Sequence, residues 1–166
     1  MLDSPRRESI VPSPSRRSIG EEAALIVRDA TLADAARLAE LSGVLGYPNS
    51  MAAIRDRLKR LRPRSGDIVF VADQLPPVMG WVHAAEQELL DSGRRCEILG
   101  LVVAPEGRGR GVGRQLVLAV EEWASERGLG QLTVRSNIVR AESHPFYERL
   151  GFVRLKTQHA YHKQLP

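Results

Sequence analysis

At 166 residues the chain suits one domain with room for a hydrophobic core, and 43% apolar with 27% charged residues is ordinary for a soluble protein. The single cysteine excludes an internal disulfide, and no stretch approaches the roughly 20 apolar residues of a membrane span. A net charge of +4 is only mildly basic, and the surplus sits in the N-terminal tail and in one internal loop, so a general polyanion-binding surface is not implied.

Residues 1–22 are rich in Ser, Pro and Arg, with Pro5, Pro12, Pro14 and two Arg-Arg pairs. Such a segment buries too little apolar surface to offset its ordering entropy, which predicts a disordered tail ahead of a compact domain at 23–166. The tail has no apolar core of the signal-peptide kind, so a cytoplasmic protein is expected.

Within the domain, residues 24–28 read as a short strand. Thr31 is placed to cap a helix over 32–41, with Leu38 and Leu41 on one face. After a break at 43–48, Asn49 or Ser50 starts a second helix through Leu61, with Met51, Ile54, Leu58 and Leu61 at helical spacing. Residues 67–72 and 78–86 read as strands joined around Pro76-Pro77. The longest apolar strand, 95–103, contains Cys96 as a core thiol and Glu97 between two apolar neighbours. A helix over about 111–127 stops at Gly128. Then follow a strand at 131–136, a helix at 141–150 ended by Gly151, and two closing strands at 152–156 and 160–164. The pattern predicts a mixed α/β layered domain.

Between the long strand and its helix lies Pro105-Glu106-Gly107-Arg108-Gly109-Arg110-Gly111-Val112-Gly113-Arg114. Glycines let backbone approach a ligand closely, and the free N–H groups at the helix start carry the positive end of its dipole. With three arginines added, a pyrophosphate is the natural occupant. The spacing excludes two familiar phosphate loops. A Walker loop needs Lys and Ser or Thr after its last glycine, whereas Val112, Gly113 and Arg114 follow Gly111. A dinucleotide loop needs Gly-x-Gly-x-x-Gly, whereas these glycines fall at every second residue.

What fits is Arg-x-x-Gly-x-Gly at Arg108, Gly111 and Gly113. A second block follows: Asn137-x-x-Arg140, then His144-x-Phe146-Tyr147-Glu148-Arg149-Leu150-Gly151-Phe152. Together they resemble the GNAT superfamily of N-acetyltransferases over about 94–164, with the texture of its small-molecule and aminoglycoside-type members. The resemblance implies a mostly antiparallel mixed sheet flanked by helices, whose central parallel strands splay apart. It implies acetyl-coenzyme A as cosubstrate; no Cys/His cluster has metal spacing, so no metal is expected. The pantetheine arm would pair with the backbone of Leu101, Val102 and Val103 as an added strand. The pyrophosphate would sit on Gly109, Arg110, Gly111, Val112, Gly113 and Arg114, with Arg108 beside it, and Asn137 would contact the arm.

Tyr147 is the expected general acid, donating to the sulfur that leaves. Its alternative is core packing, a task Phe146 fills better. Glu97 is the expected base, because a carboxylate within that apolar strand needs a reason and related enzymes place a glutamate at this distance before the loop. His83 and Glu86 are the fallback bases. His144 reads as structural, since Ser143 and Pro145 flank it where relatives differ. The acceptor pocket is expected from the two N-terminal helices and the 83–93 loop, where Glu86, Glu88 and Asp91 are either a cation-attracting group or a solvated acidic loop. The leading expectation is acetyl transfer to a primary amine of a small molecule, with no nucleic-acid or membrane partner and a homodimer left open. The alternatives are a protein or peptide N-acetyltransferase, a non-catalytic acyl-coenzyme A sensor, and a basic nucleic-acid binder. The basic loop lacks the aromatic residues that the last would want.

Overall fold

The computed structural model describes residues 24–74 and 77–166. The expected tail at 1–22 lies outside the described residues, as does Pro76 of the expected Pro-Pro joint. In chain order the elements are β1 (Ile26–Asp29), α1 (Ala35–Val44), α2 (Met51–Leu61), β2 (Asp67–Asp73), β3 (Val78–Leu89), β4 (Gly93–Val103), α3 (Val112–Glu126), β5 (Leu132–Val134) and α4 (Ser143–Arg149). The strands form one sheet in the order β1-β2-β3-β4-β5. Every pairing is antiparallel except β4 with β5.

Two apolar layers hold the sheet. On one face α3 presents Leu116, Val117 and Val120, all fully buried, against Val82, Ala84, Cys96 and Ile98. Burying each such side chain is worth roughly 1.5–3 kcal/mol, which fixes α3 and the loop that leads into it. On the other face α1 and α2 set Leu38, Leu41 and Leu58 over Val71 and Val102.

Ile98 and Val102 are four residues apart on one strand yet belong to opposite layers. The cause is a β-bulge. Ala84 faces Ile98 and His83 faces Gly100, so Leu99 is an extra residue and the alternation flips there. Pairing between β4 and β5 covers only Cys96, Glu97 and Ile98, and it ends immediately before the bulge. Beyond that point the two parallel strands part, as the splayed architecture requires.

Three expectations need correction. The helix after Thr31 begins as a 3-10 turn, Leu32–Asp34, and its α-helical part runs three residues beyond Leu41. Here Asp34 is the organising residue: its carboxylate accepts from the Thr31 N–H at 2.7 Å, the Thr31 hydroxyl at 2.9 Å and both terminal nitrogens of Arg28 at 2.9 Å. Arg28 also reaches Asp73 at 2.8 Å, which ties the start of α1 to β1 and β2.

The closing strands at 152–156 and 160–164 do not form; residues 152–166 carry no regular structure. Val153, Leu155, Tyr161 and Leu165 are 76–93% exposed, so the segment has no buried face to stabilise a strand. The acidic end of the β3–β4 hairpin does not line the cleft between β4 and β5. Glu86 pairs with Arg94 at 2.6 Å on the hairpin itself, which is the solvated-loop reading.

Candidate active site

The splay opens a cleft of about 780 Å³ that passes between β4 and β5. One end lies against the loop and first turn of α3. The other lies against the α1–α2 connection, where Val44, Leu45 and Tyr47 form the wall. Between them the edge of β4 from Leu99 to Val103 has no β5 partner, so its backbone is available to a ligand that pairs as a strand. Leu101, Val102 and Val103 all line this stretch.

At the loop end, Gly109 and Gly111 have φ of +73° and +80°, and a Cβ at either would meet nothing within 4 Å. Their requirement for glycine is conformational, and the space above them is open. Gly113 differs. A Cβ there would lie 3.0 Å from the Phe146 ring of α4, so this glycine lets α3 and α4 close on each other. The intrahelical ladder of α3 starts with the Gln115 N–H donating to the Gly111 carbonyl at 3.0 Å. The N–H groups of Val112, Gly113 and Arg114 are therefore left free of that ladder at the cleft surface. Arg108 and Arg114 also line the cleft, whereas Arg110 is exposed outside it. The loop thus assembles all of the expected phosphate-binding residues except Arg110.

Asn137 lines the cleft, but its side chain also has local work. Its Oδ1 accepts from the Val139 N–H at 3.2 Å, and its carbonyl lies 3.3 Å from His144 Nε2. Both contacts close the turn that carries α4, and His144 is a structural tie.

Tyr147 faces the cleft from α4 with its ring edge-on to Phe146 at 5.0 Å and to Phe152 at 5.4 Å. The two phenylalanines clamp the ring of a residue that lines the cavity. Burial pushes the Tyr147 phenol up, with the Arg140 guanidinium pulling weakly the other way. The group therefore stays protonated as a donor through neutral pH.

Glu97 is buried at the last paired stretch of β4 and does not itself line the cleft. Its carboxylate is 3.2 Å from Arg135 Nε, with Arg95 at 3.9 Å. Arg135, three-quarters exposed, lines the cavity and pairs with Glu97. Of the fallback bases, His83 is engaged with Asp67 at 3.2 Å and Glu86 with Arg94; like Glu97, neither lines the cleft, but only Glu97 pairs with a residue, Arg135, that does. Burial pushes the Cys96 thiol up to about 11, which makes it an inert core residue.

Sequence reasoning did not assign a role to Arg140, whose guanidinium bridges the cleft at the α1 end by donating to the Leu45 carbonyl. Its one available signal was membership of the second sequence block.

Comparison with known proteins agrees with this geometry. The model of the acetyltransferase (GNAT) family matches residues 36–152. An aminoglycoside N(6')-acetyltransferase type 1 of Stenotrophomonas maltophilia is 25% identical over 130 residues, covering 76% of this chain and 84% of that protein. The mycothiol acetyltransferase of Rhodococcus opacus is 37% identical over 65 residues, 39% of this chain and 21% of that protein. Among solved structures, AAC(6')-Iy in complex with a bisubstrate analogue superposes with a TM-score of 0.76 at 20% identity, covering 86% of this chain and 99% of that one. The chain belongs to the GNAT family and is an acetyl-coenzyme A-dependent N-acetyltransferase.

Proposed function

We propose that the protein transfers the acetyl group of acetyl-coenzyme A directly to a primary amine of a small molecule. The observation that carries this reading is the continuity of the cleft. It runs from the start of α3, along the unpaired β4 edge, past Tyr147 to the α1–α2 connection. The relatives named for aminoglycoside and mycothiol acetylation support the same class of acceptor.

Residues 108, 109 and 111–114 would hold the pyrophosphate, through backbone N–H groups and the Arg108 and Arg114 guanidiniums. The cosubstrate supplies an acetyl thioester, whose carbonyl carbon is open to attack and whose sulfur departs as a thiolate. Tyr147 donates its phenolic proton toward that sulfur as the carbon–sulfur bond breaks. Glu97 takes the proton that the attacking ammonium must lose. For this the Arg135 guanidinium, mostly in solvent, gives way to the incoming ammonium at the same carboxylate.

The test is a screen of amines, following thiol released from acetyl-coenzyme A by the purified protein and confirming the acetylated amine by mass spectrometry. Thiol release that depends on a small amine is expected. Acetylation of peptides or protein lysines alone would favour the other enzyme reading.

A further inference from the structure

The α1 end of the cleft has a feature that the transfer chemistry leaves unused. Arg140 projects from a turn that is held rigidly by its own backbone. Its N–H donates to the Asn137 carbonyl at 3.0 Å, and its carbonyl accepts from the Ser143 N–H at 3.0 Å. The Asn137 side chain and His144 brace the same turn. From this fixed base the half-buried guanidinium crosses the cleft, and its Nη2 donates to the Leu45 carbonyl.

That carbonyl belongs to the C-cap of α1. A guanidinium suits the negative end of a helix dipole. The contact is close over the next residue as well, since a Cβ on Gly46 would come within 3.8 Å of the same nitrogen. No carboxylate pairs with Arg140 among the described residues. The hydrogen bond of its guanidinium to Leu45 joins residues 44–50 to residues 135–143. Leu45, Tyr47, Arg140 and Tyr147 all line the cleft, so the strap fixes how far the α1 wall stands from the phenol.

We infer that Arg140 is a positioning residue that sets the width of the acceptor end, and so controls acceptor affinity separately from cosubstrate affinity. The inference rests on the acetyl-transfer reading for its kinetic part. The loop that would bind pyrophosphate is anchored through α3, whose Val112, Leu116 and Val117 pack in the core. Loss of the strap therefore frees one end of the cleft and leaves the other in place.

The experiment compares the full-length protein with Arg140→Ala and Arg140→Lys. Using an amine that the wild type acetylates, acceptor KM should rise about 10- to 100-fold in the alanine variant, as expected for losing a hydrogen bond from a charged donor. The KM for acetyl-coenzyme A should stay within about twofold. Lysine keeps a charged donor and should recover part of the loss. Hydrogen exchange should quicken at the amides of Leu45, Gly46 and Tyr47, which close the end of α1, and stay unchanged at the start of α3. Parallel rises in both KM values, or an unchanged acceptor KM, would overturn the inference. If the wild type acetylates no amine, the transfer reading is what fails. Exchange then decides the strap alone: unchanged protection at 45–47 overturns it, and a local loss upholds it.

Discussion

The two ends of the cleft are built in opposite ways. The loop end comes from one continuous segment, Leu101 to Arg114, and offers mostly backbone: an unpaired strand edge, two glycines at positive φ and the first N–H groups of α3. The α1 end is assembled from side chains on separate elements, with Leu45 and Tyr47 after α1, Arg135 and Arg140 after β5, and Tyr147 on α4. Backbone sites recognise what is common to a cosubstrate. Side-chain sites can be changed one residue at a time, which suits an acceptor that differs between relatives.

The comparison is most sharply tested at Tyr147, where the two ends meet. Tyr147→Phe keeps both aromatic contacts and removes only the donor. Turnover should fall about 10²- to 10⁴-fold, the span for losing one general acid–base contribution, with cosubstrate affinity by calorimetry unchanged. Because burial pushes the phenol up, the wild-type rate should not decline on its account until the pH exceeds the ordinary phenol value of 10.0. Full turnover in the variant would reduce Tyr147 to a packing residue.

Next in size is the charge at the loop end. Arg108→Ala should weaken coenzyme A binding about 10- to 100-fold, the range for a hydrogen bond to a charged group. A pantetheine fragment without the diphosphate should bind the variant and the wild type alike. Equal losses for both ligands would show that Arg108 does not read phosphate.

The glycines separate binding from packing within that same end. Gly113→Ala places a Cβ 3.0 Å from the Phe146 ring, and overpacking of this kind costs about 1–3 kcal/mol in a denaturant melt. Gly111→Ala meets no atom within 4 Å, so its cost is the strain of a positive φ, about 1 kcal/mol. If Gly113→Ala is the milder of the two, α4 does not rest on α3 as described.

These contrasts explain what could be read from the chain. The loop end was legible because its chemistry is local: glycine spacing, arginines and a following amphipathic run are all adjacent in sequence. The helices were legible from apolar spacing, and Gly128 ends its helix at φ +69° as a C-terminal glycine should. The bulge at Leu99 is a relation between β4 and β3, and its one local mark, Gly100 inside an apolar strand, does not say which residue is extra. The pairing of Glu97 was not legible either, since Arg135 lies on another strand's end. Residues 152–156 and 160–164 read as strands, but a segment without a partner or a buried face does not make one. Arg140 was visible only as a motif member, because its partner is 95 residues away.

The smallest expected effect concerns the start of the α1 wall. The Arg28 guanidinium, with the Thr31 N–H and hydroxyl, holds the Asp34 carboxyl down at about 2, against an ordinary 3.8. A depressed folded-state value means that the group favours the fold once it is ionised. Its contribution is complete above about 3.8, and it is lost as the pH falls through 2. Arg28 is about one-third exposed, so screening limits the effect to the order of 1 kcal/mol. Asp34→Asn cannot ionise and should lack this contribution at every pH. The difference in Tm between wild type and variant should therefore be constant from pH 7 to about 5 and shrink between about pH 4 and 2. Other carboxylates titrate in both proteins, so the difference isolates Asp34. Hydrogen exchange under the same conditions should show the loss first at the beginning of α1, with the α3 amides protected until global unfolding. A Tm difference that does not narrow in acid would mean that Asp34 holds α1 by shape alone.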